Sequence, residues 1–304
     1  MLLLSILLII VVIILCICIG IGLYFYHRAI DAKTEKPFIS INPHKTLTED
    51  DQWYLQNKNV KHLEMNTEDH IKLHASEIRN KGNRWVIIVH GYMGRLEDMI
   101  PQAHQFYDRG YQVLLPDLRG HGRSEGSVIG FGYLDHLDIL AWCNKLKQEG
   151  AEQILLYGVS MGASTVMMCA DAVSYPIEAI IEDCGSSNLK DQLTHIVKQM
   201  VPKVPSSFLI GCLSLVMKWK SGYRIKDANP SIHVQHSKVP ILFLHGDRDT
   251  FISIDMMEEL YTLCNNKKRK VLIPGGRHAN SCKIRPQLYW ESIDSFLVDI
   301  RQNL

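Results

Sequence analysis

No C-x-x-C pair occurs in this 304-residue sequence, although it holds eight cysteines. Without that spacing there is no zinc-ribbon ligand set and no dithiol redox motif, and the scattered positions form no disulfide framework. A basic stripe is also missing. Lys and Arg number 33 against 32 Asp and Glu, giving a net charge of +1. That balance removes the electrostatic footprint of a nucleic-acid binder. The densest basic patch, Lys267-Lys268-Arg269-Lys270, reads as a solvated loop. No internal repeat is present, which sets solenoids and propellers aside. The last absence is local: residues 1–26 carry no charged side chain.

That uncharged run exceeds the about 20 residues a helix needs to cross a bilayer, so residues 1–28 are predicted to be a transmembrane anchor. A signal peptide is the alternative, with Gly20-Ile21-Gly22 as a weak cleavage pattern. The run is long for that role, and no Lys or Arg precedes it. Tyr24, Tyr26, His27 and Arg28 stand where interface anchors are expected. Arg28, Lys33, Lys36 and Lys45 follow the span, and the positive-inside rule then leans toward a cytoplasmic location for the rest of the chain. Residues 29–58, polar and bearing Pro37 and Pro43, read as a linker. Residues 59–304 suit one large domain.

Within that domain, two alternating stretches near residues 61–65 and 71–75 predict an antiparallel hairpin around Thr67-Glu68-Asp69-His70. Apolar runs then recur at 85–90, 112–117, 153–157, 178–183, 239–245 and 270–274, with helical patterns between and after them. Eight strands in this rhythm predict an α/β fold, a mostly parallel sheet covered by helices on both faces. The rhythm breaks over 185–238. Two helical patterns there, Leu189–Met200 and Ser207–Trp219, predict a helical cap over the strand tips. Phe208 and Leu213 are candidates for an apolar pocket wall on it.

The chemistry centres on Gly158-Val159-Ser160-Met161-Gly162, a G-x-S-x-G between an apolar strand and a helix. A strand turning directly into a helix at a serine strains that serine and exposes its hydroxyl. The alternative is an ordinary turn serine. A hydroxyl nucleophile needs a base, an orienter and an oxyanion hole, all from loops after the strands' carboxyl ends. Among fourteen histidines, His278 follows the last strand through Pro274-Gly275-Gly276-Arg277 and is the best-placed base. His90 and His245 end strands directly before glycine and read as structural. Asp183, Asp247 and Asp249 compete as orienter; Asp249 gives the chain order Ser, Asp, His. Asp117 and Arg119 read as loop-stabilising residues. The amides of Tyr92, after Gly91, and of Met161 can form the hole.

Five motifs in order carry a resemblance over residues 60–302. They are His90-Gly91-Tyr92-Met93-Gly94, Asp117-Leu118-Arg119-Gly120-His121-Gly122, the Ser160 motif, His245-Gly246-Asp247-Arg248-Asp249 and Gly276-Arg277-His278-Ala279. Together they resemble the α/β-hydrolase superfamily, in particular a bacterial membrane-anchored branch grouped with serine aminopeptidases, monoacylglycerol lipases and carboxylesterases. The resemblance implies Ser160 as nucleophile, Asp249 as acid, His278 as base, and the Tyr92 and Met161 amides as oxyanion hole. It implies no metal and no cofactor. Asp69-His70 departs from the Asp-Gly common in relatives. The expected activity is cleavage of a carboxylic ester, with an acyl or lipid-like small molecule as partner. A serine aminopeptidase needs an anionic site for the substrate amine, for which the cap offers only Asp191 and Asp227. A non-catalytic, membrane-tethered binding module is the reading from another class, and it is disfavoured because no triad position is lost.

Overall fold

Eight strands share one sheet in the computed structural model, which describes residues 1–34 and 46–302. They are β1 (Val60–Asn66), β2 (Lys72–Ile78), β3 (Arg84–Val89), β4 (Gln112–Pro116), β5 (Gln153–Val159), β6 (Ile177–Asp183), β7 (Ile241–Gly246) and β8 (Lys268–Ile273). Their spatial order is β1-β2-β4-β3-β5-β6-β7-β8. The β1–β2 and β2–β4 pairs are antiparallel, and every pair from β4–β3 to β7–β8 is parallel. Helices α1 (Leu2–Ala29) and α2 (Glu49–Gln56) precede the sheet. Around it lie α3 (Ile100–Asp108), α4 (Asp135–Gln148), α5 (Met161–Met167), α6 (Leu189–Met200), α7 (Ser206–Ser221), α8 (Pro230–Gln235), α9 (Ile254–Leu263), α10 (Ser281–Ile284) and α11 (Pro286–Arg301).

Alternation along each parallel strand sends successive side chains to opposite faces. Ile87, Val89, Ile154, Leu156, Ile180, Ile241 and Phe243 join one core with α4, α5 and α9. Val86, Ile88, Leu155, Tyr157, Ile181, Leu242 and Leu244 join another with α3 and α11. Both faces are therefore dry, which is why these strands read as unbroken apolar runs. The expected order of strands and helices is present, including the cap helices α6 and α7.

Three expectations need revision. The linker over 29–58 contains a helix, α2, while residues 35–45 lie outside the described residues. Thr48 caps α2: the Asp51 amide donates to Thr48 Oγ1 and the Thr48 amide to Asp51 Oδ2. The basic patch is no loop. Lys268, Arg269 and Lys270 lie in edge strand β8, where charge is a common guard against further pairing. The Nζ atoms of Lys268 and Lys270 sit over the Tyr261 ring at 4.7 and 4.8 Å.

The third revision concerns α1. Residues 2–17 of this helix are exposed, as a bilayer-embedded stretch requires. Its last turns, however, pack along α7. A methyl group at Gly22 would collide with the Cys212 carbonyl and lie 2.6 Å from Val216 Cγ2. Tyr26, read above as an interface anchor, is buried, and its hydroxyl meets Ser221 Oγ at 2.9 Å. Ile30 is fully buried, and its carbonyl accepts from the Ile129 amide at 2.8 Å. These residues share a third apolar cluster with Leu209, Leu213, Val216 and Met217 of α7.

Candidate active site

Ser160 stands between the end of β5 and the start of α5 with φ +57° and ψ −118°, a strained conformation for a residue with a side chain. The two flanking glycines make this turn possible. A methyl at Gly158 would strike the Gly162 carbonyl, and one at Gly162 would strike the Val89 carbonyl. The Ser160 amide donates to the Asp183 carbonyl at 2.8 Å, fixing the turn against β6.

His278 follows β8 and lies between two partners. Its Nδ1 is 2.8 Å from Asp249 Oδ2, and its Nε2 is 2.8 Å from Ser160 Oγ. An ionised carboxylate only accepts, so Nδ1 carries the hydrogen and Nε2 accepts the serine proton. The Phe251 ring packs on the imidazole with centroids 4.7 Å apart, a contact that the sequence did not single out. Burial would raise the Asp249 carboxyl, but the His278 hydrogen bond and charge, with two backbone amides, hold it below the usual carboxylate range.

The competing carboxylates do other work. Asp247 Oδ1 accepts from the Gly275 amide at 2.7 Å, pinning the turn that leads to His278. Asp183 Oδ2 accepts from the Tyr289 hydroxyl at 2.9 Å, and Tyr289 in turn meets the Tyr157 hydroxyl at 2.7 Å. Burial pushes the Asp183 carboxyl up to about 6, against the Tyr289 hydrogen bond and the pull of His278.

Opposite this array runs the loop after β3. An added methyl at Gly91 would sit 3.4 Å from Ser160 Cβ, so this backbone passes beside the nucleophile position. His90 and His245 are structural, as expected. The His90 Nδ1–H donates to the Gly91 carbonyl, and Nε2 accepts from the Leu118 amide at 3.1 Å. The His245 Nε2–H donates to the Ile252 carbonyl at 3.0 Å and so steadies the Asp249 loop. Further along the β3 loop, Met93, two residues beyond Gly91, has φ +57° and donates its amide to His121 Nε2. Met161 opens α5, so its N–H has no partner in the helix's own ladder. Asp117 Oδ1 accepts from the Leu96 amide, and Arg119 pairs with Asp138 and Asp69. Of the pocket candidates, Leu213 is buried in the α1–α7 cluster and Phe208 is 44% exposed.

Among the described residues, the side chains close enough to share a cation are Cys184, Asp249 and His278, with donor atoms within 4.8 Å of one another. Asp249 and His278 are engaged with each other, and burial pushes the Cys184 thiol well up, away from the thiolate a metal needs. The arrangement suits proton transfer.

The profile of the alpha/beta hydrolase fold matches residues 84–209, and that of the FSH1 serine hydrolases matches residues 190–279. With the sheet order and the strained serine, these place the chain in the α/β-hydrolase superfamily. Within that superfamily it is a serine hydrolase. It is similar to YqkD of Bacillus subtilis, 28% identical over 215 residues and 70% of each chain. It is also similar to YNL320W of Saccharomyces cerevisiae, described as a membrane protein, at 25% over 241 residues, 78% of this chain and 79% of that one. Its fold is similar to that of the Pyrococcus furiosus esterase Pf2001, with a TM-score of 0.66, 23% identity, and coverage of 85% of this chain and 99% of the other.

Proposed function

We propose that the protein is a membrane-anchored serine hydrolase that cleaves a carboxylic ester of an acyl or lipid-like small molecule. The observation that carries this reading is the 2.8 Å approach of Ser160 Oγ to His278 Nε2, with Asp249 on the opposite ring nitrogen. Ser160 Oγ attacks the acyl carbon as His278 takes the hydroxyl proton. The alcohol leaves with that proton, and water repeats the sequence on the acyl-enzyme to release the acid. The Tyr92 and Met161 amides hold the oxyanion, each contributing about 3 kcal/mol to the transition state. Asp249 fixes the tautomer and balances the imidazolium. The step uses only these side chains and amides. Phe208 of the cap forms the apolar wall for the acyl chain, whereas Leu213, expected on the same wall, is taken up by the packing of α1 on α7, and α1 anchors the enzyme so that amphiphilic esters reach it from the bilayer. The charges after α1 favour a cytoplasmic site.

A fluorophosphonate probe should label the wild-type protein and leave Ser160→Ala unlabelled, with ester turnover lost in parallel. Labelling or turnover that survives the substitution would sink the assignment.

A further inference from the structure

Tyr92 has two ends that face different parts of the molecule. Its backbone adjoins Gly91, beside Ser160. Its hydroxyl donates to the Ala29 carbonyl at 2.9 Å. Ala29 is the last residue of α1, and its carbonyl is one of those a helix leaves without an internal partner. Between the two ends, the ring stacks on Phe131 with centroids 5.4 Å apart and planes at 26°. Phe131 packs on the cluster that buries Tyr26 and Ile30. The loop beside the nucleophile is thus tied directly to the end of the membrane helix.

The seating of that helix is specific. At Gly22 there is no room for a side chain, whereas at Gly20, two residues earlier, nothing lies within 4 Å of an added methyl. Hydrogen bonds continue past the helix from the Ile129 amide to the Ile30 carbonyl and from the Ala32 amide to the Ser127 carbonyl. A flexible tether would need none of this.

We infer that Tyr92 is a positioning residue through which the docked end of α1 holds the oxyanion loop, so that hydrolysis depends on α1 being seated on the cap. This inference rests on the Ser160-centred reading above. A hydrogen bond at the far end of Tyr92 acts on catalysis by fixing where its amide points. Its loss therefore affects the transition state, where the oxyanion exists, more than the bound ester.

The full-length protein in detergent micelles, with a water-soluble p-nitrophenyl ester, provides the test. Tyr92→Phe keeps the ring and its stacking but removes the hydroxyl. It should lower kcat about five- to tenfold, the scale of one hydrogen bond, with KM little changed. A trifluoromethyl ketone, which mimics the tetrahedral intermediate, should bind it correspondingly less well. Gly22→Leu should reproduce this pattern by lifting α1 from α7, while Gly20→Leu behaves as wild type. The Gly22→Leu/Tyr92→Phe double variant should be no worse than the poorer single variant, because both break one linkage. Equal kcat for Gly22→Leu and Gly20→Leu, or additive losses in the double variant, would overturn the inference. If Gly22→Leu fails to fold, unchanged kcat in Tyr92→Phe alone overturns it. A wild-type protein whose Ser160 takes no probe would instead fail the underlying reading.

Discussion

Asp249 reaches His278 through one oxygen, Oδ2 to Nδ1 at 2.8 Å, while its other oxygen accepts the amides of Phe251 and Ile252 at 2.8 and 3.0 Å. The carboxylate is held by its own loop and cannot turn away from the imidazole. Both amides need an acceptor, and that requirement fixes which oxygen is left for the histidine.

Asp249→Asn should therefore lower kcat about 10⁴-fold while leaving the fold intact, because the amide no longer enforces the tautomer that accepts the serine proton. Asp183→Asn should stay active, since Asp183 is bonded to Tyr289. Kinetics with circular dichroism on both variants checks this. A dead, folded Asp183→Asn beside an active Asp249→Asn would place the acid on β6.

Asp183 should instead show in stability. A folded carboxyl raised to about 6 keeps its proton where the unfolded one, near 4, has released it. Stability from this group is full below about pH 4 and falls as pH rises to about 6, by about 3 kcal/mol in all. Asp183→Asn removes that decline. Urea unfolding at pH 4 and pH 7 should show the variant gaining on wild type by that order at the higher pH. Identical pH dependence in the two proteins would contradict it.

The cap residues should separate by burial. Leu213→Ala removes a side chain from the α1–α7 cluster and should destabilise the protein by about 2–5 kcal/mol. Phe208, 44% exposed, should cost little stability but shift the preferred acyl chain length when cut to alanine, by the graded amount of about 1–3 kcal/mol per methylene typical of pocket walls. Melting curves and a chain-length series of esters distinguish the two. An unchanged chain-length profile in Phe208→Ala removes it from the wall.

Strands buried on both faces announce themselves as apolar runs, and the serine turn, its glycines and the histidine after the last strand are local patterns. Those parts were legible in the sequence. Asp249 was legible as one of three candidates, because the choice depends on which carboxylate's loop curls toward His278. The short polar helix α2 was missed although Thr48-Glu49-Asp50-Asp51 carries its capping box. His70, the departure from Asp-Gly, occupies φ +62°, so the turn kept its left-handed residue without glycine. The seating of α1 was least legible. Gly22 reads in sequence as one small residue in an apolar helix, and its role appears only when α7, nearly two hundred residues later, lies against it.

That separation also sets an order of events during synthesis. Tyr26 and Ser221, in contact at 2.9 Å, are 195 positions apart in the chain. At ribosomal speeds roughly 10–40 s pass between their appearance. Helix α1 emerges first, and throughout that interval Gly22 and Tyr26 lack the α7 surface they pack on in the folded protein. The contact of α1 with α7 therefore forms only after Ser221 has been made, as a long-range closure onto a helix synthesised well before it.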